Sequence, residues 1–449
     1  MKKWSCKIIF LAATMSWILG CTNAVVQTEP PTENPNPTNS PTPNPTAQTT
    51  AETFANATVT LNAFSLGEKF PPDVEIPNID GMKNTAFVVL DGPTAKGVVP
   101  VDLGTFQFSG DFNGLDVEEE GIPGVANSRR IDILSPTRAL FLAVDVLVLF
   151  NPITGDVLQS VPLDETVTLA DPLGFSGANP CEGDATSVGP GDFSPHGAED
   201  MEVFEDLIFV TLNNACFTGF PSVYGQGFAL VFDLGTGPNF LTPHDPAYVI
   251  LDEGYNSTAL TKLSDSLIVT LSGVDGDFDG TAEQPSHLVE LNPNTLASTR
   301  SLNLGLVGAD FSPLAVTSDE THGYVGSFLF SQVYEIDLET FTATRGISDP
   351  IIVFDSSTDF ISDQKLSGGE ELLFVSSFNN SGVKAVDLTS PDLSVLPRIL
   401  DFLIEPNAFG ITGAGPMAVR PGQPTVDFIG PDLIVLTSDP GTVSTAQTY

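Results

Sequence analysis

The sequence predicts an all-β fold, a β-propeller of seven four-stranded blades, with six or eight blades also compatible. Three observations lead there. Two kinds of short apolar strand alternate along the chain from about residue 54 onward, and the first kind recurs every 50–67 residues. No stretch carries the sustained apolar periodicity of a long helix, and Gly and Pro punctuate the intervals between strands. Paired strands at such a period cannot bury both faces alone, whereas four-stranded sheets packed radially around an axis bury them against one another.

The first kind of strand is apolar throughout and ends in a small or hydroxyl residue. Its seven copies run Ala86 to Leu90, Leu140 to Val144, Leu207 to Thr211, Leu267 to Thr270, Gly323 to Ser327, Leu372 to Ser376 and Leu433 to Thr437. The second kind alternates and then meets an acidic or amide residue: Val98 to Leu103, Leu147 to Pro152, Ala229 to Leu234, Leu288 to Pro293, Val333 to Leu338 and Val383 to Leu388. Asp and Asn suit that place because their side chains bond the backbone of the turn that follows. The copy at Leu433 lacks a clear partner of the second kind, so the N-terminal strand Thr58 to Phe64 is the candidate to complete the last blade.

Two of these strand pairs, Gly323 to Ser327 with Val333 to Thr340 and Glu371 to Ser377 with Gly382 to Leu388, resemble the YVTN-type propeller repeat of bacterial surface and periplasmic proteins. The resemblance spans the rest of the domain more weakly. It implies a fold far more than a function.

The ends define the organisation. Lys2, Lys3 and Lys7 precede an apolar run from Ile8 to Leu19, a basic segment and short hydrophobic core in the order of an export signal. A spanning helix needs about 20 apolar residues, more than this run supplies. Ile18-Leu19-Gly20-Cys21 resembles the lipobox of bacterial lipoproteins, which implies that residues 1–20 are a signal peptide and that Cys21 carries an acyl anchor in the bilayer. Ordinary cleavage and an uncleaved anchor are the alternatives. Thr22 follows the cysteine where inner-membrane lipoproteins often carry Asp, which favours an outer membrane in a Gram-negative envelope. Residues 21–53 then form a Pro/Thr-rich tether, with too little apolar surface to fold, and residues 54–449 form the propeller domain.

The chain carries 57 acidic and 16 basic residues, a net charge of −41. Loss of the three leader lysines makes it more negative still. Such a surface repels nucleic acid, whose phosphates need Lys and Arg, and it keeps a monomer soluble. Cys181 and Cys216 are the cysteines left once Cys6 is removed and Cys21 is lipidated, and in an exported domain they are expected to pair as a disulfide.

Asp275-Gly276-Asp277-Phe278-Asp279-Gly280 resembles the start of a calcium loop. Asp275, Asp277 and Asp279 are the candidate ligands, joined by the Thr281 carbonyl and by Glu283. An acidic turn is the alternative reading, because Ser286 stands at the twelfth position, where an EF-hand has Glu. Asp111 to Asp116 is a weaker version. His196, Glu199 and Asp200 precede a buried strand and are candidates for one mouth of a central channel, whereas His244, His287 and His322 lack metal-ligand spacing. Two functions fit: an envelope-displayed scaffold that binds a protein or glycan, or a metal-dependent hydrolase resembling lactonase-type propellers. The second would draw on His196, Glu199, Asp200 and Asn214 or Asn380. Both tryptophans, Trp4 and Trp17, lie in the leader, which excludes a quinoprotein site built on Trp stacking.

Overall fold

A computed structural model describes residues 50–449 apart from 68–70, 93–95, 123–124, 126, 164–165, 168, 171–191, 194–196, 217–222, 237–239, 274–283, 310–311, 355–360, 378–381, 402–413, 422–431, 439–440 and 448–449. The compact unit runs from Thr50 to Tyr449. It is a propeller of seven blades, each an antiparallel sheet four strands deep.

Blade 1 comprises Val74–Glu75, Thr85–Leu90, Gly97–Asp102 and an outer strand in two pieces, Gln107–Phe108 and Leu115–Asp116. Blade 2 comprises Ser128–Ser135, Arg138–Ala143, Val146–Phe150 and Val157–Pro162; blade 3, Ala198–Phe204, Leu207–Leu212, Gln226–Leu234 and Leu241–Tyr255. Blade 4 comprises Ser257–Lys262, Leu267–Leu271, Ser286–Asn292 and Ala297–Gly305. Blade 5 has Ala315–Val316, His322–Gly326 and Gln332–Asp337, with outer pieces Thr342–Arg345 and Ile351–Ile352. Blade 6 has Ile361–Leu366, Leu372–Ser377 and Gly382–Asp387, with outer pieces Ser394–Val395 and Leu400–Asp401. Blade 7 has Ala414–Val419, Leu433–Ser438 and Gly441–Gln447, completed by the N-terminal strand Thr58–Gly67.

The seven strands of the first kind are the second strands of the blades. They are covered on both faces, which is why they read as unbroken apolar runs. Strands of the second kind are the third strands, and their terminal acids and amides cap turns. Asp102 Oδ1 accepts the N–H of Thr105 at 2.7 Å, Asn292 Oδ1 that of Asn294 at 2.9 Å, and Asp337 Oδ1 that of Thr340 at 2.8 Å.

One apolar cluster fills each seam between neighbouring blades. Phe87, Phe141 and Phe150 lie between blades 1 and 2, and Leu140, Ile208 and Phe228 between blades 2 and 3. The pattern repeats around the ring to the last seam, where Leu66, Ile434 and Val443 of blade 7 meet Val74, Ala86 and Val88 of blade 1. The ring closes as the sequence predicts: Thr58 faces Gln447 and Gly67 faces Gly441 across an antiparallel ladder joining the two ends of the domain.

A short helix, Thr50–Ala55, precedes the closing strand. Its Phe54 is fully buried and stacks on Phe374 at 6.0 Å between ring centroids. The Arg398 guanidinium donates to the carbonyls of Ala55 and Ala57, both at 2.7 Å, satisfying backbone oxygens that a helix end leaves free. Phe54→Ala is expected to cost about 3–5 kcal/mol. Calorimetry reads this as a lower melting temperature for the whole domain, and an unchanged one would mean that the helix is not part of the cooperative unit.

Candidate functional site at the propeller axis

The first strand of each blade lies nearest the axis and has a sheet partner on one edge only. In blades 2, 3, 4, 6 and 7 this strand carries a bulge near its start, at Ser128/Arg130, Ala198/Asp200, Ser257/Ala259, Ile361/Asp363 and Ala414/Met417. The bulge aims side chains toward the next blade. Asp73 Oδ2 accepts the backbone N–H of Ile131 at 3.0 Å, Asp200 Oδ2 that of Leu260 at 2.7 Å, and Asp363 Oδ2 that of Met417 at 2.7 Å. Each bond runs from one blade to the following one.

In blade 2 the position after the bulge is Arg130. Its Nε donates to Asp200 Oδ1 at 2.8 Å and its Nη1 to Asp73 Oδ1 at 3.1 Å, so one guanidinium ties the first three blades. Burial would lower the pKa of Arg130, but Asp200, Asp73 and Asp363 together hold it above the ordinary value.

Glu199 lies in the bulge of blade 3, between Arg129 at 3.2 Å and Asn213, whose Nδ2 donates to Glu199 Oε1 at 2.6 Å. Gly197 has φ of +81°, and a Cβ there would stand 2.1 Å from Asn213 Oδ1, so only glycine leaves room for that amide. Burial raises the pKa of Glu199 and of Asp200, while Arg129 and Arg130 oppose the shift. Both candidate residues therefore stand on the innermost strand, engaged with partners from blade 2. His196, the third, lies outside the described residues, as do Cys21, Cys181, Asp275, Asp277, Asp279, Thr281, Glu283 and Asn380. Cys216 sits on a two-residue strand paired with Val223–Tyr224.

Two residues beyond Asp73, Arg130 and Asp200, and so on the same face of each strand, come Glu75, Asp132 and Glu202. Glu75 Oε2 accepts the N–H of Ile133 at 2.8 Å. Glu202 Oε1 accepts that of Val203 at 3.1 Å, and Lys262 Nζ donates to the Val203 carbonyl at 2.7 Å. Burial, then Asp132 and Asp200, push Glu202 up to about 8. Burial pushes Asp132 up to about 6 although Lys262 opposes it, and burial followed by Asp132 lifts Glu75 well above the carboxylate range. These three carboxyls carry protons at pH values where surface acids are ionised, so they can donate hydrogen bonds or act as acids. Among the described residues no three His, Cys, Asp or Glu side chains converge closely enough to hold a metal ion.

The remaining described candidates have partners of their own away from the axis. Asp116 Oδ1 accepts the N–H of Glu118 at 3.0 Å, and Asn113 Nδ2 donates to the Thr154 carbonyl at 3.1 Å. His244 pairs with Asp233 at 2.8 Å, and His287 lies 3.2 Å from the Pro285 carbonyl. Arg130, Asp73 and Glu75 escaped sequence reasoning, because their partners are 57–70 residues away in sequence. The one available signal is an acid in the strand preceding the buried run, present in blades 1, 2, 3 and 6.

Arg130→Ala would strand two buried carboxylates and is expected to destabilise the domain by about 3–5 kcal/mol in chemical denaturation. The raised carboxyls set a pH dependence. Below the ordinary carboxylate range both folded and unfolded chains hold these protons. Between that range and about 8 only the folded chain retains the Glu202 proton, so rising pH favours unfolding, and above about 8 the loss levels off. Stability is thus expected to fall from pH 5 to pH 8, by up to about 1.4 kcal/mol per pH unit for one such group. Glu202→Gln should flatten the profile, and denaturation midpoints at pH 5, 6.5 and 8 measure it.

No protein-family model matches the chain, and no curated protein matches it. Among solved structures, the β-propeller domain of Cps50 (Swd1) from Myceliophteria thermophila is similar over 86% of this chain and 99% of that one, at 13% identity and a TM-score of 0.50. The computationally designed Ika8 protein covers the same shares, 86% and 99%, at 12% identity and a TM-score of 0.46. The likeness to the Cps50 domain is one of fold: the chain is a seven-bladed β-propeller.

Proposed function

We propose that the protein is a lipid-anchored propeller of the bacterial cell envelope that works as a binding scaffold for a protein or glycan. The observation that carries this reading is the use made of the axial polar groups. Asp73, Asp200 and Asp363 hold adjacent blades together, and Glu199 is enclosed by Arg129 and Asn213, so the axial polar groups serve the ring, and binding falls to its surface. The basic leader, Gly20-Cys21 and the Pro/Thr-rich tether support the anchor and display from the envelope. A Cys181–Cys216 bridge and calcium at Asp275, Asp277 and Asp279 belong to the same reading as stabilisers of loops in an exported domain.

The hydrolase reading has one observation in its favour, the pair of raised carboxyls at Asp132 and Glu202, a property shared with catalytic acids. The two readings part on simple tests. An alkyne fatty acid is expected to label the wild-type protein and not Cys21→Ser, which should leave the membrane fraction; equal labelling of the variant would end the anchor. Cross-linking in intact cells is expected to join the wild-type domain to a specific envelope component, and Glu202→Gln should leave that product unchanged. Turnover of lactone or ester substrates that is abolished by Glu202→Gln would favour the hydrolase.

A further inference from the structure

A buried polar atom without a partner forfeits its hydration for nothing, so such atoms are few in folded proteins. Among the described residues they gather where the outer strand of blade 3 passes into the first strand of blade 4. Asn214 Oδ1, Gln226 Oε1, Glu253 Oε2 and Asn256 Oδ1 are all buried there and unpartnered. Asn214 is fully buried and Asn256 is 4% exposed.

The backbone brings the four residues to one place. Gly225 N–H donates to the Asn214 carbonyl at 2.9 Å, and the Gly225 carbonyl accepts the N–H of Asn256 at 3.2 Å. Gln226 faces Tyr255 across the blade 3 ladder, and Glu253 falls in the irregularity that follows that pair. Two of the amides have their orientation set by their nitrogens. Asn256 Nδ2 donates to Ser272 Oγ at 2.8 Å, and Gln226 Nε2 donates to Asp252 Oδ1 at 2.5 Å, which leaves both carbonyl oxygens as the unsatisfied ends.

Four buried acceptors, one of them a carboxylate, need positive charge more than they need another acceptor. Carboxylate and carboxamide oxygens without thiol or imidazole are the donor set of hard cations. We propose that this seam binds a calcium-sized hard cation through Glu253, Asn214, Gln226 and Asn256, with a water beside it accepting from Asn214 Nδ2. None of the four ligands belongs to the Asp275 to Glu283 loop. Its occupation would pin the last strand of blade 3 to the first strand of blade 4, coupling the ion to the axial latch at Leu260.

The test is calorimetry of the full domain at constant ionic strength, with chelator or with calcium, magnesium or sodium added. It uses wild type, Glu253→Gln, and a loop variant combining Asp275→Asn, Asp277→Asn and Asp279→Asn. Calcium is expected to raise the melting temperature of wild type and of the loop variant, with magnesium weaker, and Glu253→Gln should need about tenfold more calcium for the same rise. A preference for sodium would keep the seam as a hard-cation site and overturn its assignment to a calcium-sized divalent ion. No rise with any ion, a rise lost in the loop variant, or an equal rise in Glu253→Gln would overturn the site. Terbium luminescence on wild type gives a reading independent of variant folding. Both tryptophans lie in the leader, so emission should be sensitised by tyrosine, fall in Tyr255→Phe and be displaced by calcium. Emission unchanged in Tyr255→Phe would place the ion elsewhere.

Discussion

The bond on which the rest of the domain depends is the one from an axial carboxylate to a backbone N–H of the next blade. An innermost strand has a hydrogen-bonded neighbour on one side and the axis on the other, so its sheet alone does not fix the angle between blades. Asp73, Asp200 and Asp363 do so, each reaching the equivalent donor in the following blade. Hydrogen bonds to an ionised group contribute about 1.5–3 kcal/mol, more than neutral ones, and their geometry is narrow. Arg130 adds a cation between two of these acceptors, and without it blades 1 to 3 would hold like charges facing one another.

Farther from the axis the seams are mainly apolar, and polar contacts join successive blades again at the turns. Glu320 accepts the N–H of Ser264 at 2.7 Å, and Glu370 accepts that of Ser318 at 2.9 Å, so two successive hairpins clasp the blade before them. Both glutamates have positive φ, 55° and 58°, the left-handed turn geometry that swings the chain back into the second strand. Closure is different in kind. The last seam has Arg420, 1% exposed, donating to Asn84 Oδ1 at 2.6 Å, and the strand Thr58–Gly67 supplies the missing edge of blade 7. The helix carrying Phe54 directly precedes that strand in sequence and packs against Phe374 of blade 6.

The two middle strands of blades 1 to 6 were legible in the sequence and their edges were not; in blade 7 the closing edge strand Thr58–Gly67 was read and the third strand Gly441–Gln447 was missed. Second strands such as Leu207–Leu212 are buried on both faces, so hydrophobicity alone marks them. Third strands end in a capping Asp or Asn, a local signal with a local cause. Innermost strands break the apolar pattern, with a bulge in five of the seven and acids in blades 1, 2, 3 and 6, because their side chains answer to another blade. Outer strands in blades 1, 5 and 6 are broken into pieces and carry no period. At the axis, Glu199 and Asp200 stood out through their acidity and position. That Arg129 and Arg130 engage them is written 70 residues earlier, where nothing local distinguishes an arginine that crosses a seam. The expected boundary at residue 54 differs from the compact unit's start at Thr50, since a six-residue helix rich in Thr and Ala resembles linker until Phe54 is seen to be buried.

The latch does not by itself require so much acid. Blade 4 has Ala259 and Thr261 in its first strand where blade 3 has Asp200 and Glu202, each pair following the same bulge. Thr261 Oγ1 nevertheless accepts the N–H of Leu314 from blade 5 at 2.8 Å, so a neutral hydroxyl performs the joining task. The joining role of these carboxyls is required, but their charge is more than that role demands. Burial penalises their charge, and Asp132 and Glu202 respond by holding protons to about pH 6 and about pH 8. Their burial is a cost beyond what joining two blades requires, since an uncharged residue serves the same structural end one blade away. The axis is consequently polarised, acid-rich at blades 1 to 3 and neutral at the start of blade 4.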